Sequence, residues 1–132
     1  MINEFPMTQL PITYDLEERT SRFGENVIGL CTSLQQNAIN RPIIGQLVRS
    51  ATSVGANYRE ANNACSRKDF RNKIFICKKE CEESKHWFRM LLKCHPDKNE
   101  QIKDLQKEAQ ELTMIFQKIL TSLQKPKVSV EV

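Results

Sequence analysis

Apolar residues recur along most of this chain at alternating steps of three and four positions, which is the spacing of one buried helix face. The pattern predicts a first helix over Asp15–Asn37 and a second over Pro42–Cys65. Ser66-Arg67-Lys68-Asp69 resembles a capping box and starts a third helix, which ends at His95-Pro96. A fourth helix, capped near Asp97, is stopped by Pro126. The sequence therefore predicts an all-α protein.

The apolar faces of these helices predict one shared core. The first two helices contribute Leu16, Phe23, Val27, Leu30, Leu34, Leu47, Ala51, Val54, Tyr58, Ala61 and Cys65. The last two contribute Phe70, Ile74, Cys77, Cys81, Ser84, Phe88, Leu91, Ile102, Leu105, Ala109, Leu112, Phe116, Ile119 and Leu123. Long helices with short connections pack as antiparallel neighbours. We therefore expect a single-domain, antiparallel up-down-up-down four-helix bundle over residues 14–125, with an N-terminal arm at 1–13 and a C-terminal tail at 126–132.

Composition supports this class. Only 4 Gly and 5 Pro occur in 132 residues, too few for the many turns of a β-sandwich or barrel. Hydrophobic residues make up 39% and charged residues 27%, a balance that argues against intrinsic disorder.

Positive charge is concentrated on the third helix. The chain carries 20 Lys and Arg against 16 Asp and Glu, and residues 66–95 hold nine of the basic residues and four of the acidic ones. At about 100° per residue, five cations fall within about 40° of one another. These candidate nucleic-acid-binding residues are Arg67, Arg71, Lys78, Lys85 and Arg89, to which Arg49 and Arg59 on the second helix can be added. Aligned cations suit a phosphate backbone, and a solvated helix edge with ordinary ion pairs is the alternative interpretation.

The second helix carries few charges. Its positions off the apolar stripe are small or neutral: Ser50, Thr52, Ser53, Gly55, Ala56, Asn57, Asn63 and Ala64. A surface helix of a monomeric bundle normally has a polar outer half. We therefore expect this helix to be covered by another copy of the chain, the alternative being a central place within its own bundle.

Catalytic and metal-binding patterns are weak. Cys77 and Cys81 lie four residues apart, a spacing that zinc could use on one helix face, but both are in phase with the core. His86 and His95 have no nucleophile beside them in a defined site, and no glycine-rich phosphate loop occurs. We expect no enzyme activity, no cofactor and no metal. The five cysteines and the lack of an export signal or a membrane-spanning segment predict reduced thiols and a cytoplasmic protein.

Several stretches carry a family resemblance. They are Leu16–Gly24, Arg49–Ala61, Ser66–Phe70 and Lys79–Ser84. Together they resemble the bacterial four-helix bundle proteins encoded in intervening sequences of 23S ribosomal RNA genes, often labelled ribosomal proteins, over about residues 14–120. Many members carry an Ala-Glu-Gly-like sequence where this chain has Tyr58-Arg59-Glu60-Ala61, which indicates a subfamily.

The resemblance implies a homopentameric barrel of antiparallel bundles, a nucleic-acid role and no established catalysis. A similar protein is the accessory subunit of diversity-generating retroelement reverse transcriptases. Two functional hypotheses follow. The chain is either a non-catalytic oligomer that binds RNA or DNA through its basic surface, or a protein-binding scaffold or accessory subunit of a nucleic-acid-handling protein.

Overall fold

Four long helices make up the computed structural model, which describes residues 12–124, with side chains from Leu16 onward. They are α1 (Ile12–Thr32), α2 (Asn40–Asn62), α3 (Arg67–Cys94) and α4 (Asn99–Gln124), with a 3₁₀ turn at Pro96–Lys98 before α4. No strand occurs between residues 12 and 124, so the predicted all-helical class is confirmed. The C-terminal tail and residues 1–11 of the predicted arm lie outside the described residues. None of the four helices is long and apolar enough to cross a bilayer.

The first helix has different bounds from those predicted. It begins at Ile12 rather than Asp15 and ends at Thr32 rather than Asn37, because Asn37 helps to start the next helix. The Asn37 side-chain oxygen accepts hydrogen bonds from the backbone N–H groups of Ile39 (2.9 Å) and Asn40 (2.8 Å). In return, Asn40 Oδ1 accepts from the Asn37 N–H at 2.8 Å. The two asparagines thus form a reciprocal capping box that the sequence interpretation missed.

Asn40 also joins this turn to the far end of α3. Its side chain is fully buried, and its Nδ2 donates to the Gln35 carbonyl oxygen at 3.0 Å. The same Nδ2 lies 2.8 Å from His95 Nε2, and His95 is the C-cap of α3. An amide nitrogen only donates, so His95 Nε2 is the acceptor and its ring carries the proton on Nδ1. One buried amide therefore holds the α1–α2 connection against the end of α3.

The turn between α2 and α3 confirms one prediction and corrects another. The Ser66 hydroxyl accepts from the Asp69 N–H at 3.0 Å, as the capping box predicts. However, α2 ends at Asn62, and its C-cap Asn63 bonds back to carbonyls in the last turn. Cys65 therefore lies in the turn and is exposed, so its assignment to the core is wrong.

The helices enclose one core in a single compact domain. Helix α2 packs against α1 and α3, while α4 packs mainly against α3 and less against α1. The Phe23 and Phe88 rings, from α1 and α3, meet with centroids 6.2 Å apart, and Tyr58 of α2 meets Phe116 of α4 at the same distance. Each aromatic pair thus joins two helices that do not otherwise pack side by side.

Most of the predicted core residues are buried, but along α4 the buried positions differ from the predicted ones. Leu105, Ile119 and Leu123 are only partly buried, whereas Thr113 and Leu120 are buried. A strict seven-residue repeat drifts by about 20° per heptad on a straight helix of 3.6 residues per turn, so the buried face shifts towards neighbouring positions.

Candidate nucleic-acid interface

The five cations predicted on α3 lie along one edge of that helix, beside α4. This basic edge consists of Arg67, Arg71, Lys78, Lys85 and Arg89. Contacts with α4 fix its position, because Arg67 Nη2 donates to the Leu123 carbonyl oxygen at 2.8 Å and Lys85 Nζ donates to Gln110 Oε1 at 2.6 Å. From the helical rise, the edge extends over about 33 Å.

Three of these cations have no partner among the described residues. Lys85 is already engaged by Glu82 Oε1 at 3.0 Å, in addition to Gln110. Arg71 and Arg89 are exposed and Lys78 is half-buried, and within residues 16–124 none of the three forms an ion pair or a side-chain hydrogen bond. Their charge is available to an external anion.

Glutamine side chains of α4 lie beside the basic edge. Gln110 contacts Lys85, and Gln106 and Gln117 fall on the same side of α4 at helical spacing. These amides neither cancel nor add to the charge of the basic edge.

Two carboxylates of α4, those of Glu108 and Glu111, contact α1 instead. Arg19 of α1 pairs with Glu108 (2.7 Å) and Glu111 (2.8 Å). The hydrogen bond that Arg19 donates to Glu108 is the main cause that raises the pKa of Arg19 above its ordinary value. Glu108 and Glu111 are thus held on the side of α4 that faces α1.

The two candidate arginines of α2 are not brought into the basic edge. Arg49 pairs with Glu83 and, at 3.4 Å, with Glu80, both on the side of α3 that faces α2. Its hydrogen bond with Glu83 is the main cause that raises the pKa of Arg49. Arg59 Nη1 lies 2.6 Å from Glu17 Oε2 of α1. Both arginines are therefore partly neutralised by carboxylates from neighbouring helices, which a helix-by-helix reading of the sequence does not detect.

The cysteine pair that could have suggested a metal site lies in the core. Cys77 and Cys81 are fully buried, and Cys77 Sγ donates to the Val54 carbonyl oxygen at 3.6 Å. Burial raises the pKa of Cys77 to about 12 and that of Cys31 to about 11, and it raises the pKa of Cys81 further. Their interpretation as core residues is confirmed. Between residues 16 and 124, no three His, Cys, Asp or Glu side chains are grouped as a metal would require.

Thiol accessibility gives a direct test of this packing. At pH 8 we expect Cys65 to react rapidly with Ellman's reagent, because it is exposed, whereas Cys31, Cys77 and Cys81 react only on unfolding. The thiolate is the reactive form, and a raised pKa leaves little of it at that pH. Absorbance at 412 nm follows the reaction, and Cys65→Ser should remove the fast phase while half-buried Cys94 reacts more slowly. Rapid labelling of Cys77 in the folded protein would contradict the structure.

An exposed aromatic residue on α3 escaped the sequence interpretation. Phe75 is 54% exposed, and it lies one position beyond the buried stripe residue Ile74. Its angular position on the helix could have indicated this exposure, because a phenylalanine outside the apolar stripe points away from the core.

The chain is similar to known proteins in both sequence and structure. The sequence model of a family described as 23S rRNA-intervening sequence protein matches residues 14–118. Among solved structures, a protein of unknown function from the S23 ribosomal protein family of Bacteroides thetaiotaomicron VPI-5482 superposes with a TM-score of 0.70 at 29% sequence identity. The match covers 80% of this chain and 97% of that one. A search of curated proteins found no match.

Proposed function

The chain belongs to the 23S rRNA-intervening sequence protein family, and from that premise we propose that it is a non-catalytic, oligomeric, cytoplasmic protein that binds nucleic acid through the basic edge of α3. The observation that carries the proposal is the set of unpaired cations Arg71, Lys78 and Arg89 on one edge of α3, beside glutamine side chains of α4. Cations that are not neutralised within their own subunit are free to displace the counterions of a polyanion, which is the main source of non-specific nucleic-acid affinity.

The contacts of the basic edge are suited to phosphates rather than to base identity. Arginine and lysine side chains that approach a backbone fix its position and carry no direct sequence information. The edge is about 33 Å long, close to one turn of a duplex, so several phosphates of one strand can be contacted together. RNA and DNA share this backbone chemistry, and the proposal covers both.

The outer surface of α2 supports self-association. Part of its low charge is explained within the subunit, because Ser50 and Gly55 are buried against α3 and α1. Outside the core, the Thr52 and Ser53 hydroxyls donate to carbonyl oxygens of their own helix, at 2.7 Å each, so covering them costs little hydrogen bonding to water. Small Ala56 is exposed on the same surface. We propose that another copy covers this surface in a homo-oligomer, with the pentamer of the family resemblance as the expected size.

We also propose that the four helices form an antiparallel bundle with up-down-up-down topology. Contacts between consecutive helices support it, because residues near the end of one helix meet residues near the start of its neighbour. The supporting pairs are Arg59 with Glu17, Lys73 with Glu60, and Arg67 with Leu123.

Neutralising the unpaired cations tests the proposed function. In the Arg71→Gln/Lys78→Gln/Arg89→Gln variant we expect affinity for a labelled 20-nucleotide RNA to fall by about tenfold or more, with the slope of log K against log salt reduced by about two to three. Fluorescence anisotropy titrations at several salt concentrations measure both. The matched control is Lys103→Gln/Lys107→Gln/Lys118→Gln, which removes three exposed lysines of α4 and the same net charge. Equal losses in the two variants, or no loss in the first, would contradict a role for the basic edge.

A protein-binding role is the second candidate. Met114 of α4 is 59% exposed and lines a shallow groove with Glu111, Ile115 and Lys118. An exposed apolar residue beside charged ones suits a protein contact, as an accessory subunit would need. If the purified protein binds neither RNA nor DNA at low salt, this second candidate is favoured.

A further inference from the structure

The surroundings of Phe75 set it apart from the other exposed apolar side chains. On a helix, the nearest surface neighbours of a residue lie three and four positions away, with Cβ atoms about 5–6 Å apart. Around Phe75 these are Arg71, Asn72, Lys78 and Lys79. Three of the four are cations and one is an amide, and we call this group with Phe75 the Phe75 patch.

The cations of the patch form no ion pairs within the described part of the chain. Neither Arg71, Lys78 nor Lys79 forms an ion pair with any residue from 16 to 124. The carboxylates of α3 nearest to them are engaged elsewhere, since Glu82 pairs with Lys85 and the carboxylates of Glu80 and Glu83 face Arg49 on α2. An exposed aromatic ring is therefore surrounded by available positive charge.

The patch has the wrong composition for an apolar contact between protein surfaces. The other large apolar side chains that are exposed within residues 16–124 are Ile28 on α1, Ile39 in the α1–α2 connection and Met114 on α4. None of them is on α3, and the surface neighbours of Phe75 along its own helix are polar. The cores of protein–protein interfaces are depleted in lysine, and two of the three cations around this ring are lysines, so the patch does not favour that occupant.

We propose that the Phe75 patch is a single-stranded nucleic-acid site, in which the Phe75 ring stacks on an unpaired base while Arg71, Lys78 and Lys79 hold the adjacent phosphates. This inference rests on the proposed function and narrows its substrate class. Stacking on aromatic side chains combined with a positively charged track is how proteins bind single strands without sequence preference. The bases of a duplex are stacked on each other and do not offer a free face to the ring. The patch therefore binds single strands in preference to duplexes.

The test compares single-stranded and duplex RNA of the same 20-nucleotide sequence, each labelled with fluorescein, by anisotropy with the full-length protein. We expect Phe75→Ala to weaken single-strand binding by about fivefold or more. Binding of the duplex should change less than twofold, and the salt dependence should stay the same because no charge is removed. Phe75→Trp should retain or strengthen single-strand binding, since it keeps an aromatic face. Met114→Ala, which truncates an exposed apolar residue of α4, is the matched control and should change neither affinity.

Failure of this inference is distinguishable from failure of the proposed function. If the wild-type protein binds both RNAs and loses affinity when the basic edge is neutralised, but Phe75→Ala binds the single strand like wild type, the stacking site is overturned and the proposed function stands. If the wild-type protein binds neither of the two RNAs nor DNA strands of the same sequence at low salt, both are overturned. A change in molar mass by light scattering on Phe75→Ala, with no selective loss of single-strand binding, would assign Phe75 to a contact between copies and overturn the stacking site.

Discussion

Replacing Phe88 by alanine is expected to lower the free energy of unfolding by about 3–5 kcal/mol, a large part of the stability of a domain of this size. Phe88 is fully buried on α3, and its ring meets Phe23 of α1 edge to face. Truncation removes apolar burial and leaves a cavity that helices on opposite sides of the bundle cannot collapse to fill. It also removes the aromatic contact that joins α1 to α3 across the core.

The matched control is the same substitution on the same helix at an exposed position. Phe75→Ala should change the free energy of unfolding by less than about 0.5 kcal/mol, because Phe75 is largely outside the core. Guanidinium unfolding followed by circular dichroism at 222 nm measures both variants. Two protein concentrations are needed, since association of the folded chain adds to its apparent stability. A loss below about 1 kcal/mol for Phe88→Ala would show that the ring is not packed as the structure has it.

Replacing Asn40 by leucine is expected to cost about 2–4 kcal/mol, although the two side chains are similar in size. The substitution leaves the Gln35 carbonyl, the Asn37 N–H and His95 Nε2 without their buried partner. Each of these three part-buried hydrogen bonds contributes about 0.5–1.5 kcal/mol, so losing all three together accounts for the expected cost.

Replacing His95 as well isolates the energy of the hydrogen bond between Asn40 and His95. Unfolding of Asn40→Leu, His95→Ala and the double variant gives the coupling energy of the Asn40–His95 bond, which we expect to be about 1 kcal/mol. Asn72→Leu, at an exposed position in the middle of α3, is the control for the residue change itself and should be close to neutral. Additive losses at Asn40 and His95 would show that the junction is not formed in solution.

Much of the fold follows from local pattern. The alternating three- and four-residue steps located the four helices, and nearly all of the stripe residues of α1 and α2 are buried as predicted. The basic edge was also predictable, because the phase of Arg67 and Lys85 on one helix requires no knowledge of the other helices.

The features that were missed depend on contacts between distant parts of the chain. Nothing near Arg49 in sequence indicates that Glu80 and Glu83 will lie beside it, more than thirty residues away. The end of α1 was misplaced because Asn37 was interpreted as the end of one helix, whereas its amide caps the next. Asn-x-x-Asn is a weaker capping signal than Ser-x-x-Glu, and only the burial of Asn40 reveals its importance.

The pairing of helices also has an electrostatic consequence for the molecule as a whole. Helices α1 and α3 occupy opposite corners of the bundle. Within its bounds α1 carries four acidic and two basic residues, whereas α3 carries nine basic and four acidic ones. This separation contributes a component of the subunit's dipole moment along the diagonal from α1 to α3. In the field of a polyanion such a dipole experiences a torque, so the subunit turns α3 forward before the surfaces touch, an orienting effect that weakens as added salt shortens the screening length.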